Sequence, residues 1–214
     1  MRYLDETVWG SITPKWLGSY EAELHPIIAR IVEHSYNTII DVGCAEGYYA
    51  VGLARAIAGA KIYAFDIDFI SRAQIRRLAT LNNVRDRLQI RAACNHSDLD
   101  TLSRGETLVV CDTEGFEAQL LNPDIALSLR HDDILVEVHE TSDSSSQVDH
   151  LLQSRFAESH RIERVVATNR DSWMEQNGRD FSPTISQENL REATEENRTA
   201  GWVWLWMEAK SKKG

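Results

Sequence analysis

The sequence predicts an α/β fold: a doubly wound, seven-stranded, mostly parallel sheet with helices on both faces and a helical extension before it. Three observations carry that expectation. Strand-like and helix-like segments alternate through most of the chain, the pattern of consecutive βαβ units. Residues 39–54, IIDVGCAEGYYAVGLA, pass from an apolar strand through a glycine turn into helical spacing. Acids and other polar residues end one expected strand after another, at the edge where an open parallel sheet holds its ligand. The chain divides into the extension, residues 1–35, and a main domain, residues 36–214, interrupted by a polar insertion at 169–199.

Taken in order, residues 16–34 place Leu17, Tyr20, Leu24, Ile27, Ile28 and Ile31 at helical spacing, and Pro26 breaks or bends that helix. Strands follow at 38–42, 61–66, 88–93, 107–112 and 134–139. Between them lie helices at 47–58, 71–81, 97–103 and 114–121, the last continued over 124–129 after Pro123. The SDSSS stretch, 142–146, reads as a loop ending in a helix N-cap, and a helix over 145–156 leads to a sixth strand at 161–168. A seventh strand, at 201–209, is rich in Trp and Val. Trp202, Trp204 and Trp206 alternate there with Val203 and Leu205, so their rings share one face, packed on a helix or, in the other reading, forming a homodimer patch. The insertion holds the turn dipeptides Asn177-Gly178 and Ser182-Pro183 and a helix over 186–197. Its length suits a lid or acceptor-binding element, or else a surface excursion.

Composition narrows the function. A chain of 214 residues, 43% hydrophobic and 26% charged, can bury one sizeable core. A formal charge of -10 opposes the broad basic surface that grips a phosphate backbone, so no nucleic-acid partner is expected. The first residues lack a basic-then-apolar signal pattern, and the longest apolar run, 202–207, is too short to cross a bilayer; the expectation is a cytoplasmic protein with no membrane partner. Cys44, Cys94 and Cys111 each end a strand and read as small buried apolar residues, not as a disulfide framework or zinc site.

The chemistry is concentrated at the strand ends. In the first turn Asp41, Gly43, Ala45 and Gly47 follow the order D-x-G-x-A-x-G, where a dinucleotide fingerprint requires G-x-G-x-x-G. The amides of such a turn, with the helix N-terminus behind them, face an anion. That order resembles motif I of S-adenosylmethionine-dependent methyltransferases. The resemblance implies that Gly43, Ala45, Glu46 and Gly47 hold the methionine part of the cofactor. Asp66, ending the second strand, suits a ribose diol, because a carboxylate accepts two hydroxyl protons; its other reading is a cap on the following turn. Asn95 stands where an adenine edge is read, or merely closes a loop.

Residues 108–121, LVVCDTEGFEAQLL, and 134–140, ILVEVHE, resemble the FkbM-type branch of these enzymes, where D-x-E-G-x-E precedes a strand ending in E-x-H. The matching residues are Asp112, Glu114, Gly115 and Glu117, then Glu137 and His139, and the resemblance spans residues 39–140. It implies a Rossmann-like methyltransferase fold, S-adenosyl-L-methionine as cofactor, and transfer to an oxygen, less often a nitrogen; it says little about the acceptor, and the expectation here is a hydroxyl of a small molecule or glycan. It also implies a cofactor site of Asp41, Gly43, Ala45, Glu46, Gly47, Asp66, Asn95 and Asp112. His139, Asp112 and Glu114 become the catalytic set, with His139 as general base by its ordinary pKa and Glu137, on the same strand face, available to hold its ring. A buried His satisfied by a neighbour is the alternative. Asp112, Glu137 and His139 also suit a divalent ion, but no sequential ligand spacing supports one and no metal is expected. The chain departs from the family at Val110, where Lys is usual, and at Asp66-Ile67, where Glu-Pro is usual. A noncatalytic module of the same fold, binding the cofactor or a partner, is the rival reading.

Overall fold

A computed structural model describes residues 1–139, 147–181, 185–196 and 202–211. The seven expected strands form close to their expected bounds: β1 (Thr38–Val42), β2 (Lys61–Phe65), β3 (Leu88–Arg91), β4 (Thr107–Cys111), β5 (Asp133–Val138), β6 (His160–Val166) and β7 (Val203–Ala209). They make one sheet in the order β3-β2-β1-β4-β5-β7-β6. The first five strands pair in parallel, and β7 lies antiparallel between β5 and β6. Val42 is in register with both Phe65 and Cys111, so β1, β2 and β4 end together. The strand order reverses at β1, and the crevice beyond the β1 and β4 ends is the switch point where such sheets bind ligands.

Every residue of β1, β4 and β5 is buried, as continuous apolar strands covered on both faces must be. The pleat sends Ile39, Ile62, Val110, Leu135, Trp204 and Trp206 to one core and Ile40, Phe65, Val109, Val136 and Leu205 to the other. Helices α1 (Ile12–Leu17), α2 (His25–Glu33), α3 (Tyr48–Ala56), α4 (Phe69–Leu81), α5 (His96–Leu102), α6 (Glu117–Leu120), α7 (Gln147–Phe156), α8 (Asp171–Phe181) and α9 (Gln187–Ala193) cover the two faces and one end. Trp204 and Trp206 pack in the core as expected, the former edge-on to Tyr49 at 6.0 Å; Trp202 precedes the strand.

Three expectations are refined or corrected. Residues 16–34 form a broken helix, one of the two forms expected, but the break lies ahead of Pro26. The chain reverses between α1 and α2, with Gly18 and Glu21 in the left-handed region at φ 76 and φ 48, and Pro26 starts α2 instead of bending it, because the first turn needs no amide from that position. Residues 124–129 give only a 3-10 turn, Leu127–Arg130. Asn177-Gly178 lies inside α8, where Trp173, Met174 and Phe181 pack at helical spacing against Leu190 and Ile185 of the insertion and Leu17 and Ala22 of the extension. This packing outweighs the local turn preference.

The extension and the insertion are stapled together. Buried Arg170 contacts Glu23 at 2.7 Å and Glu196 at 2.9 Å, Trp173 Nε1 donates to the Gly18 carbonyl, and the Glu21 amide donates to Glu196. Both segments meet the carboxyl edge of the sheet, since β6 delivers the chain there and α2 leaves from it. The SDSSS stretch, Ser182-Pro183 and residues 197–201 lie outside the described residues. All three thiols are free, Cys44 and Cys111 buried and Cys94 half-buried. Among the described residues no helix is long and apolar enough to cross a membrane.

Candidate active site

The turn after β1 can be made by few sequences. Gly43 has φ +78, and a Cβ there would collide with the Asp112 carbonyl, so the ends of β1 and β4 touch only because this residue has no side chain. Gly47 has φ +96 and would place a Cβ 2.5 Å from Ile75 of α4. Between them Ala45 is also left-handed, at φ 45, a strained setting for a residue with a Cβ. Amides of Gly43 and Cys44 bond to the Phe65 carbonyl and fix the turn to the end of β2.

Asp66 takes the structural one of its two expected roles. Its Oδ2 accepts from the Ala45 amide and its Oδ1 from the Asp68 amide, each at 2.8 Å, so the carboxylate ties the glycine turn to the loop after β2. Each oxygen retains a second lone pair for a hydroxyl. Burial raises its pKa, while those two amides work the other way. Ile67, the next residue, is 85% exposed and offers an apolar shelf beside it. Asp41 is buried in β1, and its pKa is pushed up to about 8 by burial first and by the Asp112 charge second.

Glu46 and Asn95 are committed within the chain. Glu46 is fully buried, and its Oε1 receives Tyr3 at 2.8 Å and Thr7 at 2.7 Å and pairs with Lys15 of α1. Burial alone would raise its pKa, but the Lys15 ammonium and these hydrogen bonds outweigh it and hold the carboxyl low. The turn is therefore clamped from behind by the extension. Asn95 caps α5 in a capping box with Asp98, four residues beyond the end of β3.

Asp112, Glu114 and His139 come together. His139 Nε2 lies 3.4 Å from Glu114 Oε2, 3.7 Å from Asp112 Oδ1 and 3.8 Å from Glu137 Oε2. The ring is held by Glu117, not by Glu137: His139 Nδ1 meets Glu117 Oε1 at 3.0 Å. That same oxygen accepts the amides of Thr113 and Gly115 and the Thr113 hydroxyl, so the fully buried Glu117 also shapes the loop after β4. Glu114 is held left-handed at φ 55 and is 67% exposed on its side chain, facing the open side. Burial would lower the His139 pKa, yet the hydrogen bond it donates to Glu117 and the charges of Asp112, Glu117 and Glu114 raise it. Trp202 stands edge-on to the ring at 6.0 Å.

Sequence reasoning did not assign roles to Glu117, Ile67 and Lys15. The third acid of D-x-E-G-x-E, at the start of a helix, and an apolar residue directly after Asp66 were the signals for the first two; nothing local marks Lys15.

The sequence matches no protein-family model and no curated protein. Solved structures resemble the whole fold. A putative rRNA-methylase from Clostridium thermocellum is 14% identical with a TM-score of 0.57, covering 89% of this chain and 97% of its own. A SAM-dependent methyltransferase from Geobacter sulfurreducens, in complex with S-adenosyl-L-homocysteine, is 18% identical with a TM-score of 0.54, covering 96% and 95%. The O-methyltransferase TomG from Streptomyces achromogenes, in complex with SAM, is 12% identical with a TM-score of 0.59, covering 92% and 87%. The chain has the Rossmann-like fold of class I methyltransferases, a seven-stranded sheet with flanking helices matched over nearly its full length.

Proposed function

We infer that this protein is an S-adenosyl-L-methionine-dependent methyltransferase of the FkbM-like kind, acting on a hydroxyl of a small molecule or glycan. One observation carries the reading: at the switch point of the sheet, a turn that only glycine can make at Gly43 opens beside Asp66 and against the end of β4. The group fits these residues. The turn from Gly43 to Gly47 would line the methionine part, though its Gly43, Cys44, Ala45 and Gly47 amides are engaged within the chain and do not face a ligand anion as expected. Asp66 would take the ribose diol, Ile67 the adenine face, and the segment ending at Asn95 the adenine edge. Bound there, the cofactor supplies a methyl group activated on a positively charged sulfur. Asp112 would contribute negative charge on that side. The acceptor end is the cluster of Asp112, Glu114 and His139, where the chain must position a hydroxyl and help it lose its proton. A charge of -10 favours a small acceptor over a nucleic acid.

Calorimetric titration tests this. S-adenosylhomocysteine is expected to bind one per chain, and Asp66→Ala to weaken it by about tenfold or more, the worth of a charge-assisted hydrogen bond. Tight binding of NAD in place of S-adenosylhomocysteine would overturn the reading. Cofactor binding without turnover on any hydroxylated acceptor would identify the noncatalytic module instead.

A further inference from the structure

We propose that Asp112, Glu114 and His139 bind one divalent transition-metal cation at the acceptor end of the crevice. One ligand atom from each lies within 4.8 Å of the others, a spacing that lets bonds of about 2 Å meet at one centre. The orientation of the ring is the second observation. Glu117 Oε1, 3.0 Å from His139 Nδ1, belongs to a fully buried carboxylate that already accepts two backbone amides. A carboxylate in that position accepts, so Nδ1 carries a hydrogen and Nε2 is the nitrogen that faces the cluster. A third observation concerns what that nitrogen meets. Nε2 is buried and makes no hydrogen bond, although Glu114 Oε2 is 3.4 Å away and Asp112 Oδ1 3.7 Å away. Two carboxylates at that range favour a proton on Nε2, and a bound cation would take the place of that proton. A cation converts all three into ligands, and a ligating imidazole whose other nitrogen donates to a carboxylate is the usual support of such a centre.

The donor set indicates the kind of ion. One imidazole nitrogen with two carboxylate oxygens suits Mn²⁺, Fe²⁺ or Zn²⁺, whereas Mg²⁺ and Ca²⁺ prefer oxygen alone. Two carboxylates balance the ion's charge. Glu114 stands on the exposed side of the loop, so the remaining positions are open to water or to an oxygen of the acceptor. His139 is then a ligand and not the proton acceptor expected from sequence. Acidification of a bound acceptor hydroxyl, its proton passing to water, rests on the methyltransferase reading; binding of the ion does not.

The test uses the full chain stripped with a chelator. Mn²⁺ titration, followed by loss of the free-ion electron paramagnetic resonance signal and repeated in competition with Zn²⁺, is expected to show one saturable site. His139→Gln and Asp112→Asn should each weaken it by about a hundredfold, and Glu117→Gln by about tenfold. Should a variant fail to fold, the wild type still decides: bound Mn²⁺ must broaden the ring signals of His139 ahead of those of the other six of its seven histidines. No saturable site for either ion, affinity unchanged in both ligand variants, or broadening centred on another histidine would overturn the proposal. S-adenosylhomocysteine binding by the stripped chain is measured alongside, so loss of the metal site and loss of the methyltransferase reading are separate results.

Discussion

Gly43 sets the sharpest single-residue demand in the molecule, because its positive φ and the Asp112 carbonyl both exclude a side chain. Gly43→Ala is expected to destabilise the fold by roughly 3 kcal/mol or more, read from urea unfolding, through clash and backbone strain combined. An equally stable variant would mean that the β1 and β4 ends are not in contact. At this scale the sequence showed which residues gather but not how they are shared. Asp112, Glu114 and His139 converge as their strand-end positions implied. The holder of the ring did not emerge, because Glu117 lies 22 residues before His139 and meets it only through the folding of the loop after β4. Glu137, the neighbour along the strand, was the local choice, and it stands 3.8 Å from the other ring nitrogen.

Among elements, the tie between α1 and the turn before α3 is the least visible in sequence and has clear physical consequences. Lys15 and Glu46 are 3% and 0% exposed on their side chains. Lys15→Met would leave a buried carboxylate without its cation, at an expected cost of roughly 3–5 kcal/mol in denaturant unfolding. The pH dependence has a definite sign. Glu46 titrates below its ordinary value of 4.5 in the folded chain, so its contribution is complete above that value and is lost as pH falls through it toward the lower folded pKa. A Glu46→Gln chain should therefore lose less stability than wild type on acidification below about pH 4.5. Elements of the parallel sheet were legible because buried strands are continuous apolar runs. The extension was not, since its reversal at Gly18 and Glu21 depends on partners as distant as Glu196, and α8 was hidden under an Asn-Gly pair whose turn preference yields to the packing of Trp173 and Met174.

For the whole molecule, the seven mostly parallel strands and their doubly wound cover followed from the alternation of segments, while the joining of the two chain segments at the carboxyl edge could not. Arg170, with Glu23 and Glu196, makes that joint from a buried cation and two carboxylates 3% and 5% exposed. Arg170→Met takes the cation away from both carboxylates. The thermal midpoint is expected to fall by about 6 °C or more, and limited proteolysis should cut within residues 171–196 before it touches the sheet. Simultaneous loss of all segments would show instead that the joint belongs to the global core.

The seventh strand has a consequence for how the chain is made. Because β7 separates β5 from β6, neither of those two can find its permanent neighbour on that side while synthesis is still short of residue 203. Until then β6 is a bare strip of backbone, and its Arg161, Glu163 and Arg164 put charge along it, which discourages sticking to other nascent chains during the wait.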